Sequence, residues 1–401
     1  MSSMKLITVA IAALFLLIVS AVLRFSELYV MSAALACVPI ASYAVGRIVV
    51  RTLRCSREVP EYAREDEPIH IRLHIHGKTG LLGPMHIDDT LPEWLSKDAD
   101  YRIQADQPDD AITAIYTATA SKRGEHTIGP LRMRVSDPLG FFTFNCEYPL
   151  TSSLVVLPSA LHIPDLEIRR AGGFGEYQFE GSGARGSGTD FHGVREYQPG
   201  DELRRVHWAS TARHGRLNVI EFEHRRAQDA VIAVDLRRGS EIGSGRFSSL
   251  EYAIRIAADI AEDALMSGST ARLVCAGVGG AAAESGTGLD QLYVILDSLA
   301  RVRADRDEAI SEVLLREIES FSNDSIIICV GASADAGLFM CAQLLAPKGT
   351  RLHAILVNVM GDSDDRLRSS VAELVAIGAS ASVVDCSGVK VEGHVSYEYA
   401  A

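Results

Sequence analysis

Two apolar runs near the N-terminus constrain the fold of this chain more than any other sequence feature. Residues 6–23 and 28–46 contain no Asp, Glu, Lys or Arg, and each run is 18 or 19 residues long. A helix needs about 20 apolar residues to cross a bilayer core of about 30 Å. The four residues between the runs can close a helical hairpin but cannot form a domain. The sequence therefore predicts two transmembrane helices, at about 6–23 and 28–46, whose outer ends lie on one side of a membrane.

Basic residues flank the outer ends of both runs. Lys5 precedes the first run, whereas the connecting loop carries Arg24 beside Glu27. The residues after the second run include Arg47, Arg51, Arg54 and Arg57. Because Lys and Arg near membrane spans stay on the cytoplasmic side, this bias predicts a multi-pass protein of the inner or plasma membrane with its soluble part in the cytoplasm.

A cleaved signal peptide is the alternative interpretation of the first run. It would need a cleavage site between small residues, and none follows Leu23. A second full-length apolar run comes immediately instead. The seven cysteines agree with a reducing compartment, since their number is odd and no CxxC pair is present. Cys275 and Cys329 lie in apolar, strand-like runs and are predicted to be core residues.

Residues 58–160 show the period-two alternation of β-strands. One strand alternates Ile69, Ile71, Leu73 and Ile75 with polar residues, and Leu131, Met133 and Val135 alternate in the same way. Such strands have one buried face. With turn signals between them, they predict a β-sandwich. The histidines of this region are interpreted as an exposed polar face and not as metal ligands, because no cysteine or carboxylate cluster completes a site.

Residues 227–390 alternate strand-like and helical segments. Apolar runs such as 231–235, 272–276, 326–330 and 352–359 are separated by stretches with helical spacing, for example 248–266 and 334–345. This alternation predicts an α/β domain with a mostly parallel sheet covered on both faces. Residues 391–401 are expected to form a tail.

Asp235 ends the first strand of this α/β domain, at the edge where such sheets bind ligands. A divalent cation there would need several converging oxygens. The run Asp-x-Ser-x-Ser would supply them, but Arg237 and Gly239 replace the two serines. Asp335 and Thr287 are only distant candidates. We therefore expect no metal and no other cofactor, with Asp235 paired to Arg237 or Arg238.

Residues 161–226 combine a Gly-rich connector with a run dense in arginine. Between residues 185 and 226 there are eight arginines, although the whole chain of 401 residues carries a net charge of −13. In a structural interpretation, five arginines pair with nearby acids and fasten the segment to the α/β domain: Arg195, Arg204, Arg205, Arg213 and Arg216. In a functional one, some of them face outward and bind an acidic partner or a phosphate. Paired charges among many turn residues favour the structural interpretation.

The run from Gly188 to Glu223 resembles the bacterial domain of unknown function 58 family, whose pattern is DFxGxREYxPGDxxRRxxWxxxARxGxLxVxEFE after a Gly-rich lead. The residues that match this motif, as structural or partner-binding positions, include Asp190, Arg195, Glu196, Tyr197, Pro199, Gly200, Asp201, Arg204, Arg205, Trp208 and Arg213. Upstream, the run from Asp137 to Gly140 is similar to the β-domain that precedes the motif in that family. The resemblance covers nearly the whole chain, including the hairpin.

The resemblance implies a von Willebrand factor A-like α/β domain and work alongside a MoxR-type AAA+ ATPase, with no established catalytic activity. We therefore expect a non-enzymatic membrane scaffold or adaptor that also contacts the lipid bilayer and other membrane proteins. Two alternatives stay open. One is a hydrolase or phosphate-binding protein that uses His207, Asp190 and the arginines, although His207 and Trp208 are expected to pack the motif against the α/β domain. The other is nucleic-acid binding through the arginines, which the acidic whole opposes.

Overall fold

A computed structural model describes residues 2–97, 102–106, 111–161, 163, 186–197, 206–222, 229–275, 283–322, 325–360 and 365–386. The chain divides into two compact units, Met1–Pro158 and Ser159–Ala401. Most of the predicted Gly-rich connector and the whole of the predicted tail lie outside the described residues.

The first unit begins with two long helices, α1 (Ser2–Leu23) and α2 (Ser26–Thr52). By length and composition, both helices are able to cross a membrane. Many of their large apolar side chains are exposed, among them Phe15 and Ile40, which distinguishes them from the core helix of a soluble domain. The Ser32 hydroxyl donates a hydrogen bond of 2.8 Å to the Ala13 carbonyl and holds the helices side by side.

Helix α2 continues well past Gly46, where the apolar run ends. It carries Arg47 and Arg51 as exposed helical residues, and strand β1 begins at Arg54, before the predicted domain start at residue 58. Arg57 differs from the other three arginines because its side chain is fully buried. Arg57 therefore belongs to the β-sheets, whereas Arg47, Arg51 and Arg54 are the exposed basic residues near the end of the helix.

Three sheets form the rest of this unit. Their strands are β1 (Arg54–Glu58), β2 (Tyr62–Arg64), β3 (Pro68–His76), β4 (Met85–Asp89), β5 (Leu95–Lys97), β6 (Arg102–Asp106), β7 (Ala111–Ala120), β8 (Gly124–Ile128), β9 (Leu131–Ser136), β10 (Thr143–Tyr148) and β11 (Ser152–Leu157). The sheet orders are β1-β3-β7-β5 with β6 also on β7, β10-β9-β4, and β2-β11-β8. Only the β2–β11 pair is parallel among these strands.

The core of the first unit confirms the alternation predicted for its strands. Ile71, Leu73 and Ile75 of β3 are buried together with Leu131 and Val135 of β9 in one cluster. The histidines between the β3 residues lie on the opposite, more exposed face. Alternate side chains thus join different sheets around a single hydrophobic core.

The second unit contains a short antiparallel pair and a large sheet. Its strands are β12 (Gly186–Glu196), β13 (Asn218–Phe222), β14 (Asp229–Val234), β15 (Thr270–Cys275), β16 (Ala283–Gly286), β17 (Ile326–Gly331), β18 (Arg351–Asn358) and β19 (Ser380–Asp385). Its helices are α3 (Trp208–His214), α4 (Ser249–Met266), α5 (Gly288–Arg301), α6 (Ile310–Arg316), α7 (Ala336–Leu345) and α8 (Asp365–Ile377). The strand–helix alternation predicted for 227–390 is confirmed.

The large sheet has the order β16-β15-β14-β17-β18-β19. Its strands are parallel except for β16, which runs antiparallel to β15 at one edge. Central strand β14 is almost wholly apolar and buried, because helices cover both faces of such a sheet. Cys275 and Cys329 are buried in this core, as predicted, and burial raises the pKa of the Cys275 thiol to about 12.

The Gly-rich run before the motif contains a strand that the sequence did not reveal. Strand β12 begins at Gly186, within the residues predicted to be a flexible connector, and pairs antiparallel with β13. Register shifts between Gly186 and Gly193 mark bulges in this pair. Glycine has no side chain to give period-two alternation, so the pattern was hidden.

Candidate functional site

Asp235 lies at the carboxyl end of β14, beside the neighbouring parallel strand β17. Its backbone N–H donates 3.0 Å to the carbonyl of Val330, and its side chain is almost entirely buried. Gly331 makes room for it, since an added Cβ at Gly331 would lie only 3.0 Å from the Cβ of Asp235. The two central strands thus present this carboxylate at the edge where α/β sheets bind ligands.

The guanidinium of Arg237 faces the Asp235 carboxylate. The Arg237 backbone N–H donates to Asp235 Oδ1 at 3.1 Å, and its Nη2 lies 3.7 Å from Oδ2. A backbone hydrogen bond of 3.2 Å, from the Arg306 N–H to the Leu236 carbonyl, holds the loop in place. The pairing of Asp235 with Arg237 agrees with the prediction from the sequence.

Asp335 joins the same group of charges from the loop after β17. Its Oδ2 lies 3.9 Å from Arg237 Nη1 and accepts a hydrogen bond of 2.8 Å from the hydroxyl of Ser311. Its Oδ1 accepts from the backbone N–H of Leu338 at 2.8 Å and caps helix α7. One guanidinium therefore lies between two carboxylates from different loops. The sequence had placed Asp335 only as a distant candidate.

Burial dominates the electrostatics of this cluster. Desolvation raises the pKa of the Asp235 carboxyl, and the hydrogen bond and charge of Arg237 lower it only in part. Asp335 adds to the rise as a second negative group. Burial likewise raises the pKa of the nearby Cys329 thiol, and Asp235 raises it further. Arg237 is the positively charged side chain that lies within 4 Å of both acids.

The chemistry of this edge is charge pairing. Among the described residues, no group of three or more His, Cys, Asp or Glu side chains is placed to hold a metal ion. Arg237 stands where a cation would sit between Asp235 and Asp335, so the guanidinium supplies the positive charge itself.

The motif segment forms a second candidate surface, at helix α3. The N–H of Tyr197 donates to the Leu217 carbonyl at 2.8 Å, and the N–H of His207 donates to the Asn218 carbonyl at 2.8 Å. These bonds close the base of the excursion between β12 and β13. Trp208, the first residue of α3, is 69% exposed. The expectation that Trp208 packs against the α/β domain is therefore wrong.

His207 has a local structural role at the start of α3. Its Nδ1 accepts a hydrogen bond of 3.1 Å from the backbone N–H of Ser210, which caps the helix. This ring nitrogen is thus occupied, which weakens the hydrolase alternative that used His207 as a base. The side chain of its suggested partner, Asp190, lies outside the described residues.

The arginines of the motif divide into two groups. Arg213 is exposed on α3, so a buried ion pair does not describe it. The segment 198–205, which carries Pro199, Gly200, Asp201, Arg204 and Arg205, lies outside the described residues, as do the side chains of Arg195 and Glu196. For those residues the structural and the partner-binding interpretations both stay predictions.

Comparison with known proteins finds a family match over part of the chain. The family model described as "Protein of unknown function DUF58" matches residues 193–302, from the motif strand through helix α5. The uncharacterized protein YeaD of Bacillus subtilis (strain 168) is 28% identical over 205 residues, which are 48% of this chain and 48% of that protein. The matched region thus spans about half of the relative's length. Residues 193–302 thus match the DUF58 family model, and the family predicted from the motif is confirmed over this segment.

Two solved structures show distant likeness to this chain. A FixG-related protein from Vibrio parahaemolyticus is 12% identical with a TM-score of 0.18, over 26% of this chain and 95% of that one. A mutant of the SrpA adhesin from Streptococcus sanguinis is 14% identical with a TM-score of 0.17, over 27% of this chain and 59% of that one. Scores this low carry no argument about fold or function.

Proposed function

We propose that this chain is a non-enzymatic scaffold or adaptor, anchored in the inner membrane by α1 and α2, that binds a cytoplasmic partner. In this proposal the first unit is a β-sandwich and the second a von Willebrand factor A-like domain. The sheet order of the second unit, its antiparallel edge strand and the position of Asp235 support the latter. Arg47, Arg51 and Arg54 support the cytoplasmic orientation, since all three stay exposed near the end of α2.

The exposed Trp208 is the observation that carries the proposal. Burying an aromatic ring of this size is worth several kcal/mol, at roughly 25 cal/mol per Å² of apolar surface. A tryptophan that stays 69% exposed forgoes that gain, and Arg213 on the same helix and Leu217 shortly after it are exposed as well. Trp and Arg are also the residues that most often dominate protein interfaces. Helix α3 is therefore the partner-binding surface of the proposal.

A MoxR-type AAA+ ATPase is the partner that the family resemblance suggests. The test is a pull-down of the full-length, detergent-solubilised chain from its native membranes and cytoplasm, followed by mass spectrometry. Trp208→Ala should lose the ATPase. Leu289→Ala is the matched control, because Leu289 is also a largely exposed apolar residue, on α5. Retention of the ATPase by Trp208→Ala, or its loss from both variants alike, would refute the role of α3.

Topology is tested separately. Reporter fusions after residue 60 should be active with a cytoplasmic reporter and inactive with alkaline phosphatase, which works only outside the cytoplasm. Alkaline phosphatase activity at this point would overturn the orientation and, with it, a cytoplasmic partner. Turnover of a substrate by the purified chain would overturn the non-enzymatic assignment.

A further inference from the structure

The end of helix α2 is built into the β-sheets of the first unit. Leu53, directly after the helix, is buried in the core with Ile75. The Tyr148 hydroxyl donates 3.3 Å to the Val50 carbonyl. Phe144 of β10 packs directly against the backbone of Gly46, since a Cβ added at Gly46 would lie only 2.6 Å from Cε2 of Phe144. Helix and sheets are therefore joined without a flexible linker, which fixes the height of the sheets above the apolar hairpin.

A tight turn between β9 and β10 lies against the same helix. Asp137 is fully buried, its Oδ1 accepts 2.7 Å from the Phe142 N–H, and its other carboxylate oxygen accepts from the Ser42 hydroxyl. The Asp137 N–H donates 3.1 Å to the Phe142 carbonyl and closes the turn. Leu139, at its tip, is left 50% exposed.

The turn lies level with Lys5, at the start of the first apolar run. A Cβ added at Gly140 would be 3.1 Å from Nζ of Lys5, the charged residue that immediately precedes the first apolar run. The bond between Ser32 and Ala13 sets the register of the helices, so Lys5 is level with about residue 40 of α2. This is the depth at which hydrocarbon gives way to headgroups if the hairpin spans a bilayer.

Aromatic residues mark the same level. The ring of Tyr43 on α2 contacts Phe142 in an edge-to-face arrangement, with 5.1 Å between centroids, and lies 5.6 Å from Phe144. Tyrosine is enriched at membrane–water interfaces because its ring prefers an apolar surrounding and its hydroxyl a polar one. The turn, the tyrosine and Lys5 thus form one layer.

We propose that the turn Asp137–Phe142 is a membrane-docking element that inserts Leu139 into the interfacial layer of the bilayer, with Lys5 beside it to meet lipid phosphates. This inference rests on the proposed membrane-spanning hairpin. The buried Asp137 fixes the shape of the turn and Gly46 lets it approach the helix. The sheets of the first unit then lie on the membrane surface and are not attached to it through a flexible linker.

The test uses the full-length chain in nanodiscs of phosphatidylethanolamine and phosphatidylglycerol. A benzophenone amino acid replaces one residue at a time, and lipid adducts are measured by mass spectrometry after irradiation. Leu139 probes the turn. Leu17, an exposed residue in the middle of α1, reports whether the hairpin is in the bilayer. Glu67 is the control, because it is exposed and directly precedes β3. The other end of β3, at His76, pairs with Arg54 beside α2, so Glu67 lies at the end of the strand that is remote from the helix.

The expected result is lipid adducts at Leu17 and Leu139 and none at Glu67. Adducts at Leu17 but not at Leu139 would overturn the docking element while the membrane hairpin stands. Equal adducts at Leu139 and Glu67 would show non-specific contact and also overturn it. If Leu17 gives no adduct, the membrane anchor itself fails, and the docking element fails with it.

Discussion

Two arginine–aspartate pairs, one in each unit, differ in how completely the protein encloses them. The pair of Arg57 and Asp89 in the first unit has side chains that are 0% and 1% exposed. Arg57 also donates to the carbonyls of Ile128 at 3.0 Å and Leu150 at 3.2 Å, and the Tyr116 hydroxyl donates to Asp89 at 2.6 Å. The pair is thus held by several hydrogen bonds inside the sheets.

The pair of Arg237 and Asp235 in the second unit is looser. The Arg237 side chain is 33% exposed, and its guanidinium lies 3.7 Å from Asp235 and 3.9 Å from Asp335. At such distances the contact is mainly coulombic, and solvent weakens it. The comparison separates two kinds of arginine. Arg57 completes the core of the first unit, whereas Arg237 lies partly solvated between two acids at the edge where α/β sheets bind ligands.

The largest effect is expected from opening the enclosed pair. Arg57→Ala leaves Asp89 buried without its counter-ion and strips two carbonyls of a donor, so it should destabilise the first unit by about 3–5 kcal/mol. Trp94 and Trp208 are the two tryptophans of the chain. In a Trp208→Phe background, the fluorescence of Trp94 therefore reports urea unfolding of the first unit alone.

Arg132→Ala is the matched control for Arg57→Ala. Arg132 pairs with Glu147 at 3.7 Å in the same unit, but both side chains are more than half exposed. A solvated pair of this kind contributes at most about 1 kcal/mol. Equal losses in the two variants would mean that burial does not distinguish these arginines.

The sequence predicted those parts of the molecule that periodicity encodes. The two helices, the alternating strand β3 and the strand–helix order of the second unit all follow from repeating apolar positions. Strand β12 was missed because glycines carry no such signal. The burial of Arg57 could not be predicted from the sequence, because its partner Asp89 is 32 residues away along the chain.

The sequence predicted only part of the candidate site. The pairing of Asp235 with Arg237 is local and was predicted from their spacing. The approach of Asp335 depends on β17 lying next to β14 in the sheet, and strand order is a tertiary property. A usable signal existed, since Asp335 follows a buried strand and therefore belongs to the same edge as Asp235. Trp208 was expected to pack the motif against the α/β domain, and its exposure depends on tertiary contacts that the sequence does not reveal.

The next largest effect on stability is expected at His353, a buried ionisable side chain whose pKa is shifted by burial and not by an opposite charge. His353 on β18 is buried, its Nε2 lies 3.1 Å from the Ser382 hydroxyl, and burial lowers its pKa to about 4. As the pH falls from about 6.5 towards 4, His353 becomes protonated in the unfolded chain but stays neutral in the folded chain. Stability is therefore lost in this window, by about 2 kcal/mol between pH 7 and pH 5.

His353→Gln isolates this contribution. Thermal unfolding of the full chain in detergent at pH 7 and pH 5 should show a smaller acid-induced loss for the variant than for the parent. The difference between the two losses, and not either loss alone, measures His353, since other groups titrate in the same range. A parent and variant with the same pH dependence would show that His353 is not held neutral by the fold.

The smallest change in stability, and the sharpest test of the comparison, is expected at Arg237. Because the guanidinium is partly solvated and its contacts are long, Arg237→Ser should cost no more than about 1 kcal/mol. The substitution should also create a divalent-cation site, because it removes the positive charge between Asp235 and Asp335 and adds a hydroxyl oxygen. Hard divalent cations bind where several such oxygens converge. Calorimetric titration with Mn²⁺ or Mg²⁺ should therefore show binding to Arg237→Ser and none to the parent.

The control for Arg237→Ser is Arg238→Ser, which removes an equal charge from the neighbouring, largely exposed side chain. This control should bind no cation, because Arg238 is not the residue whose guanidinium faces the two acids. Binding by Arg237→Ser should weaken as the pH falls, since the raised pKa of Asp235 makes proton and cation compete for the same carboxylate. A parent chain that already binds Mn²⁺ tightly, and loses it in Asp235→Ala, would mean that Arg237 does not occupy the cation position and that the two arginine–aspartate pairs differ in exposure alone.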